Sequence, residues 1–374
     1  MKIAVFSSSV DPTMGGYGNI TYELCCHYAK AGLDFVLFLP ASEQSKNKQI
    51  LPFKTEYILP NYVRRVSSPR IWGYFFKDID LRQFSLVHNL FDFPYCVMAA
   101  RLAKKYKLSF ITGVQGTYGV LPLTYWPEKH LLKRAYRQAK EIIAPSVFTK
   151  EQILLYAKEN YQFSVIHNGV NFNRFDKNID ISELKEKYKN NKVLLTVGML
   201  KLRKGQDLVI RALPLIKKKF PKIKYMVVGP GKWRSYLADL AKECGVGENV
   251  DLVGAVDDED LVKYFHLCDI YIHTPRLVNL NFEGFGIVYL EASACGKPIV
   301  AADSGGIKDA VVEGKTGLIA RNEDVEDIAA KVILLLSDNQ LADNLGKQGK
   351  EYARAHDWTV ISQKFIDKYK QYSL

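Results

Sequence analysis

Long apolar segments are missing from this chain of 374 residues. No run approaches the roughly 18 consecutive apolar residues that a membrane-spanning helix needs. The opening MKIAVFSSSV has a strand pattern that leads into polar residues, with neither the basic segment nor the cleavage site of a signal peptide. These absences argue against a membrane-spanning protein and predict a cytoplasmic one.

Cysteine is scarce and scattered. The six cysteines lack the spacing of a metal site, and the adjacent pair Cys25 and Cys26 stands in an apolar context. Cysteines in such surroundings usually act as small apolar residues in a core. The pattern therefore predicts packing roles and no zinc site.

Acidic residues are few in the first half of the chain. Residues 1–170 hold 21 Lys and Arg against 12 Asp and Glu, whereas the remainder holds 31 against 28. A basic excess attracts nucleic acid, anionic lipid or an anionic substrate. Basic clusters such as AKKYK are not interleaved with a recognisable nucleic-acid-binding motif, so we do not predict nucleic acid as a partner.

One basic segment, residues 129–140, has the pattern of an amphipathic helix. Leucine, alanine and tyrosine at positions 131, 132, 135 and 136 alternate with five Lys and Arg residues. Such a helix either packs its apolar side on a domain core or lies on an anionic membrane surface. The sequence leaves both open, so a peripheral location at the inner face of a membrane is an alternative to a purely cytoplasmic one.

Buried-strand patterns alternate with helical periods along the whole chain, and the series restarts near residues 168–180. This alternation predicts parallel sheets covered on both faces. We expect two doubly wound Rossmann-like α/β domains, residues 1–170 and 171–357, with a C-terminal helix at about 358–374 returning to the first. Because such sheets bind ligands at the carboxyl ends of their strands, two facing domains would form a central cleft. The predicted helices lie near 19–31, 94–106, after 148, 205–219, 233–243, 258–266 and 324–336.

Two glycine-rich loops resemble dinucleotide-binding turns without matching them. The first, VDPTMGGYGN, contains Gly15 and Gly16 but not the pattern G-x-G-x-x-G, and the second, VVGPGKWR, has only two of the three glycines. A hydride-transfer enzyme is therefore not favoured. The first loop would still place unshielded backbone amides at a helix N-terminus, where phosphate oxygens are stabilised, unless it is an ordinary helix-starting turn.

The stretch NFEGFGIVYLEASACGKPIVAADSGG, residues 281–306, places Glu283 and Glu291 eight positions apart. Residues eight apart share a helix face only roughly, so Glu283 is predicted in a loop and Glu291 on the helix that follows. Carboxylates accept hydrogen bonds from paired hydroxyls, and amides next to glycine donate to phosphate or sugar oxygens. This chemistry fits a nucleotide-sugar.

Together with GGYGN, HNGVNFNRF and VGMLKLRKGQDLVIRAL, this stretch resembles family 4 glycosyltransferases of the GT-B fold. The resemblance implies that Glu291 binds the ribose and that Glu283 lies beside the donor sugar. It also implies that the amides of Phe285, Gly286 and Ile287 line the sugar and the diphosphate. Gly15 and Gly16 belong to the matching N-terminal loop, and HDWTVISQKFIDKYK resembles the terminal helix that crosses back to the first domain.

Departure of a nucleotide diphosphate builds negative charge that cations stabilise. Lys204 matches the lysine that the family places there. Met199 stands where the family often has arginine, so we expect Arg203 to take that role. A second departure is Gln115, followed by Gly116, where the family usually has His-Gly. Glutamine can form hydrogen bonds but cannot act as a general base.

The resemblance implies a retaining glycosyltransferase that moves a hexosyl group from GDP-mannose or a UDP-sugar to a hydroxyl of a glycan or a lipid-linked acceptor. The first domain would shape the acceptor site and the second would bind the donor. The family's front-face displacement, in which the leaving phosphate takes the acceptor proton, tolerates Gln115. The segment DIDL at 78–81 lacks a donor-site context and predicts a turn, so we expect no obligatory metal. A sugar-nucleotide epimerase and a non-catalytic nucleotide-sugar binding protein remain alternatives.

Overall fold

A computed structural model describes residues 1–11, 16–45, 50–61, 75, 77–90 and 93–373 of the chain. It divides into two compact units. The first unit comprises Met1–Asn168 and Trp358–Leu374, and the second comprises Gly169–Asp357. Each unit contains one parallel sheet with helices on both of its faces.

The sheet of the first unit has, among the described residues, seven strands in the order β3-β2-β1-β4-β5-β6-β7. Its interior strands are short apolar runs such as KIAVF, almost wholly buried, because helices cover both faces. The strands are β1 (Lys2–Phe6), β2 (Asp34–Pro40), β3 (Thr55–Leu59), β4 (Leu86–Asn89), β5 (Ser109–Gly113), β6 (Glu141–Ala144) and β7 (Phe163–Val165).

The helices of the first unit alternate with these strands. The last of them comes from the C-terminal end of the chain and packs on α1 through buried Tyr369, whose hydroxyl donates to that of Tyr28 at 2.8 Å. The helices are α1 (Gly16–Lys30), α2 (Tyr95–Lys105), α3 (Thr117–Val120), α4 (Glu128–Gln138), α5 (Val147–Ala157) and the C-terminal α14 (Trp358–Tyr372).

The second unit repeats this plan with a sheet of six strands in the order β10-β9-β8-β11-β12-β13 among the described residues. Its strands are β8 (Lys192–Val197), β9 (Ile223–Val228), β10 (Val250–Gly254), β11 (Ile270–His273), β12 (Ile299–Ala302) and β13 (Leu318–Ala320). Its helices are α6 (Phe172–Asp176), α7 (Ser182–Lys187), α8 (Gln206–Lys219), α9 (Arg234–Glu243), α10 (Asp258–Leu267), α11 (Ile287–Ala294), α12 (Val325–Ser337) and α13 (Asn339–Ala355).

Two apolar clusters, one on each face of this second sheet, form the core of the unit. The strand order reverses between β8 and β11, which are hydrogen-bonded neighbours. Loops that leave the carboxyl ends of neighbouring strands at such a reversal diverge and leave a crevice for ligands. The loops after β8 and β11 are therefore the part of this unit in which a site is expected.

The predicted fold class is confirmed, because both sheets are parallel and Rossmann-like. The predicted helices differ from the observed ones by a few residues at their ends. Strands β3, β7 and β13 and helices α3, α6, α7 and α13 were not predicted. Across the residues that the structure describes, none of the helices is both long and apolar enough to traverse a bilayer.

Candidate functional site

The loop after β8 carries two of the predicted cations. A single 3₁₀ turn, Leu202–Lys204, leads through Gly205 into α8, and Gly205 has a left-handed φ of 72°. A Cβ on Gly205 would lie 1.8 Å from the carbonyl oxygen of Thr274, so only glycine fits here. The loop after β8 is thus pressed against the loop after β11.

The loop after β11 places Glu283 against both cations. Its Oε2 lies 2.5 Å from the Nζ of Lys204 and 3.1 Å from the Nη1 of Arg203. All three side chains are largely buried, with exposed fractions of 13 to 26%. The carbonyl oxygen of Glu283 accepts a hydrogen bond from the backbone N–H of Gly306 at 2.9 Å, which fixes the loop from the other side.

Two cations and one carboxylate give this cluster a net positive charge. Burial alone would raise the pKa of Glu283, but Lys204, Arg203 and, to a smaller extent, His273 outweigh it and hold that pKa at about 2. Glu283 is therefore an anion throughout the neutral range. A phosphate group that enters the cluster would compete with Glu283 for the same two cations.

His273, at the end of β11, lies next to this cluster and was not singled out in the sequence. It is fully buried, and within the described part of the chain neither ring nitrogen has a hydrogen-bond partner. Burial, with a smaller effect of Lys204, lowers the pKa of His273 to about 3. A neutral imidazole therefore lies next to the ion pairs that Glu283 forms with Lys204 and Arg203. Its position at the carboxyl end of a strand next to the switch point was the available signal.

Glu291 has different surroundings. It is the fifth residue of α11, as the sequence predicted, and it is only partly exposed. Among the described residues, no hydrogen bond or salt bridge reaches its carboxylate. Burial raises the pKa of Glu291 from 4.5 to about 7, since the nearby Arg174 lowers it only in part and Asp258 raises it. The guanidinium of Arg174 is already paired with Asp258 at 3.1 Å.

The N-terminus of α11 contains the predicted amide donors. Gly286 is the N-cap residue with a left-handed φ of 88°, and no side chain within the described ranges caps this helix. An uncapped N-terminus presents backbone N–H groups and the positive end of the helix dipole. Phe285, the residue before this N-cap, is buried, whereas Ile287, the first residue of the helix, is partly exposed. The arrangement suits an anion or a sugar oxygen at Gly286 and Ile287.

The remaining predicted residues belong to the first unit. Gln115 is partly buried just after β5, its carbonyl oxygen accepts from the Tyr17 hydroxyl at 2.6 Å, and its Oε1 accepts from Asn168 at 3.4 Å. Gly16 is the first residue of α1, and Gly15 lies outside the described residues. The functions assigned to all of these residues stay predictions.

Arg203, Lys204 and Glu283 thus form one cluster, whereas the charged groups that affect Glu291 are Arg174 and Asp258. His88 is buried, and its Nδ1 lies 2.6 Å from the Tyr369 hydroxyl, which indicates a structural role in docking α14. Within the described ranges, no three side chains of His, Cys, Asp or Glu converge as metal ligands do.

Comparison with known proteins identifies two family matches that together span most of the chain. Residues 14–174 match the family described as Glycosyltransferase Family 4, and residues 178–352 match Glycosyl transferases group 1. Both cation positions and both glutamates lie in the second match.

Curated relatives match the chain in part. The GDP-mannose-dependent alpha-(1-6)-phosphatidylinositol monomannoside mannosyltransferase of Mycolicibacterium smegmatis is 33% identical over 227 residues, 59% of this chain and 59% of that protein. The Mycobacterium tuberculosis protein of the same name is 34% identical over 191 residues, 50% of each chain. The chain therefore covers between half and six tenths of the length of these relatives.

Solved structures match over nearly the whole chain. A crystal structure of Anabaena HepE in complex with UDP has a TM-score of 0.81 and 21% identity, and the match covers 99% of this chain and 100% of that one. At this identity the similarity establishes the fold. The chain belongs to glycosyltransferase family 4, a family of retaining enzymes, and its two parallel sheets are those of the GT-B fold.

Proposed function

We propose that the protein transfers a hexosyl group from a nucleotide diphosphate sugar to an acceptor hydroxyl with retention of configuration. The observation that carries this proposal is the convergence of Arg203 and Lys204 on Glu283 at the carboxyl ends of β8 and β11. Two buried cations beside a carboxylate are suited to a leaving diphosphate next to a sugar ring. Family membership supports the same reaction class.

The chemistry follows from the charges. As the bond between the sugar and the diphosphate breaks, negative charge grows on the phosphate oxygens and positive charge on the sugar. Arg203 and Lys204 would stabilise the negative charge on the phosphate oxygens. The ionised Glu283 would stabilise the positive charge on the sugar or bind a sugar hydroxyl. In front-face displacement the leaving phosphate accepts the acceptor proton. No protein side chain has to titrate, so the role of Gln115 is hydrogen bonding.

We propose that Glu291 binds the ribose of the donor. Its carboxylate is half-buried and, among the described residues, makes no hydrogen bond, so two ribose hydroxyls would supply the missing partners. The amides of Gly286 and Ile287 at the N-terminus of α11 would contact the diphosphate or the sugar. GDP-mannose is the donor to test first, because curated relatives that use it share 33 to 34% identity with the matched stretches.

A lipid-linked or glycan hydroxyl is the proposed acceptor, and the first unit offers a surface for an anionic membrane. The apolar residues of α4 are not available for lipid, since Leu132, Ala135 and Tyr136 are buried. Lys133 is paired with Glu159 at 2.5 Å. Of the two alternatives that the sequence left open for residues 129–140, burial of these apolar residues favours a helix whose apolar side packs on its domain core.

The exposed surface beside α4 has a different composition. Trp126, two residues before α4, is 81% exposed, and of the cations that follow it in sequence Lys129 is partly exposed and Arg134 is exposed. An exposed tryptophan close in sequence to cations suits the headgroup region of a bilayer. Sedimentation with vesicles containing phosphatidylserine is expected to fall when Trp126 is replaced by serine and when salt is raised. Binding that is absent or insensitive to both changes would contradict the membrane proposal.

The epimerase alternative fits the geometry less well. Such an enzyme needs an acid or a base that exchanges a proton near neutral pH. Glu283 has a pKa of about 2 and is held by two cations, and His273 has a pKa of about 3. These two pKa values argue against Glu283 and His273 as that acid and base, and Glu291, whose pKa is about 7, forms no hydrogen bond or salt bridge with the cluster among the described residues.

A panel of UDP- and GDP-sugars tests the proposed function directly. The protein is incubated with each sugar nucleotide, and the free nucleotide, the free sugar and any epimer are separated and quantified. Slow release of GDP or UDP from one donor is the expected result, and an added acceptor hydroxyl should accelerate it. Epimer formation without nucleotide release would support the epimerase. Binding without turnover, with and without acceptors, would support a binding protein.

A further inference from the structure

Arg276 is a charged side chain that is 8% exposed, three residues beyond the end of β11. Its Nη2 donates to the Oδ2 of Asp207 at 2.8 Å, and its Nη1 lies 3.6 Å from the carboxylate of Glu323. Removing charges from water is costly, and apolar residues of the same volume often stabilise a core as well or better. Stability alone is therefore a weak reason for this buried pair.

The position of Asp207 supplies a better reason. It lies in the first turn of α8, three residues after Lys204 and four after Arg203. The backbone N–H of the same Arg276 donates to the carbonyl oxygen of Arg203 at 2.9 Å. Arg276 thus binds the middle of the turn Leu202–Lys204 through its main chain, and the first turn of the helix that follows through its guanidinium.

Neighbouring contacts hold the same turn. The Thr274 hydroxyl donates to the carbonyl oxygen of Gly205 at 3.0 Å, and the Gln206 amide donates to that of Met199 at 3.2 Å. Glu323, the third partner, follows β13 and has a left-handed φ of 57°. Arg276 therefore links the loops that follow three strands, β8, β11 and β13.

We propose that Arg276 is a positioning residue that, with Asp207, sets the direction in which Arg203 and Lys204 face a leaving diphosphate. This inference rests on the proposed function. Electrostatic stabilisation of a transition state depends on cations that are already oriented, and a displacement of about 1 Å can cost on the order of a hundredfold in rate. The planar fork of arginine fixes such an orientation, whereas an ammonium group does not.

The test uses two variants. Arg276→Lys keeps the positive charge and loses the planar guanidinium, and Asp207→Asn keeps the shape of the side chain and loses its negative charge. Val332→Ala, in the apolar core of α12, is the control for a general loss of stability. Single-turnover rates and donor dissociation constants are measured with the donor found in the panel, at a temperature where all variants are folded. We expect both variants to lose at least tenfold in rate and less than threefold in donor affinity, and the control to lose neither.

Hydrogen exchange of the amides in residues 200–205 gives a readout that does not depend on activity. Exchange in this segment should be faster in Arg276→Lys and Asp207→Asn than in the natural protein, and unchanged in Val332→Ala. Unchanged exchange, or a rate within twofold of the control, would overturn the inference. A normal rate in Lys204→Ala would instead overturn the role proposed for the cations, so the two failures are distinguishable.

Discussion

Glu283 and Glu291 are eight residues apart, and their environments shift their pKa values in opposite directions. Glu283 is held by Lys204 and Arg203, which lower its pKa to about 2 despite its burial. The carboxylate of Glu291 forms no hydrogen bond or salt bridge with any described residue, and burial raises its pKa to about 7. The same residue type is therefore a permanent anion at one position and a group that titrates near neutral pH at the other.

The difference indicates how each glutamate can meet a ligand. Glu283 already has its charge partners, so a diphosphate must share or take over the two cations. Glu291 lacks partners, so a ligand with hydroxyl donors would stabilise its charged form and lower its pKa. Binding of a donor is expected to rearrange ion pairs at the first position and to release a proton at the second.

The largest effect is expected from removing a cation at Glu283. Lys204→Ala should lower turnover by about a hundredfold to a thousandfold, the range for losing one preorganised donor to a developing anion. Donor affinity should fall much less, because the interaction grows in the transition state. Steady-state kinetics and calorimetry separate the two quantities. Equal losses in both would mean that Lys204 binds ground state and transition state alike, and Arg203→Ala should repeat the pattern.

A smaller effect is expected at Glu291. Glu291→Gln should weaken donor binding by about 1 to 3 kcal/mol at pH 8, the range for losing a charged hydrogen-bond partner. Calorimetric titration with the donor measures this change. Glu326→Gln removes a carboxylate from the exposed first turn of α12 and is the matched control. A donor dissociation constant that is the same in Glu291→Gln and the control would remove Glu291 from the site.

Gln115 extends the comparison to a polar side chain that does not titrate. Gln115→Ala should cost about 1 to 3 kcal/mol in transition-state stabilisation if its amide binds a donor hydroxyl. Gln115→His should keep substantial activity and add a pH dependence near about 6.5. The pH profile of kcat/KM checks both variants. Turnover that appears only in Gln115→His would indicate a natural protein that has lost activity.

The smallest effect concerns stability. A carboxyl whose folded pKa is raised favours folding most when it is protonated, and this stability is lost as pH rises from about 4.5 through about 7. Glu291→Gln should therefore raise Tm relative to the natural protein at pH 8.5 and not at pH 4.5, by about 2 to 4 °C per kcal/mol. Thermal unfolding of both proteins at the two pH values measures this difference in Tm. A difference that does not change with pH would contradict the raised pKa.

Much of the fold was predictable because interior strands are continuous apolar runs. The strands that were missed, β3, β7 and β13, lie at sheet edges, and β7 and β13 have only three residues each. β3 and β7 are also mostly half-exposed, so their sequences lack such a run. The apolar residues of α4 were identified, but a helix period does not reveal whether the apolar side faces the core or a membrane.

The positions of the proposed site residues were predictable where these residues follow a strand within a dense motif. Arg203, Lys204 and Glu283 follow neighbouring strands, so their meeting was a consequence of the parallel order. His273 and Arg276 gave a weaker signal. His273 stands at the carboxyl end of β11, but a single residue there has no periodicity, and Asp207, the hydrogen-bond partner of the Arg276 guanidinium, lies 69 positions away. The opposite pKa shifts also depend on burial that spacing does not reveal.

Donor affinity as a function of pH tests the central contrast most directly. The dissociation constant of the donor is measured by calorimetry between pH 5.5 and 8.5, in the natural protein and in Glu291→Gln. We predict that the natural protein binds more tightly as pH rises through about 7, as the Glu291 carboxylate ionises, and that Glu291→Gln shows no such change. Identical pH profiles for the two proteins would contradict the assignment of Glu291 as the titrating, donor-binding carboxylate.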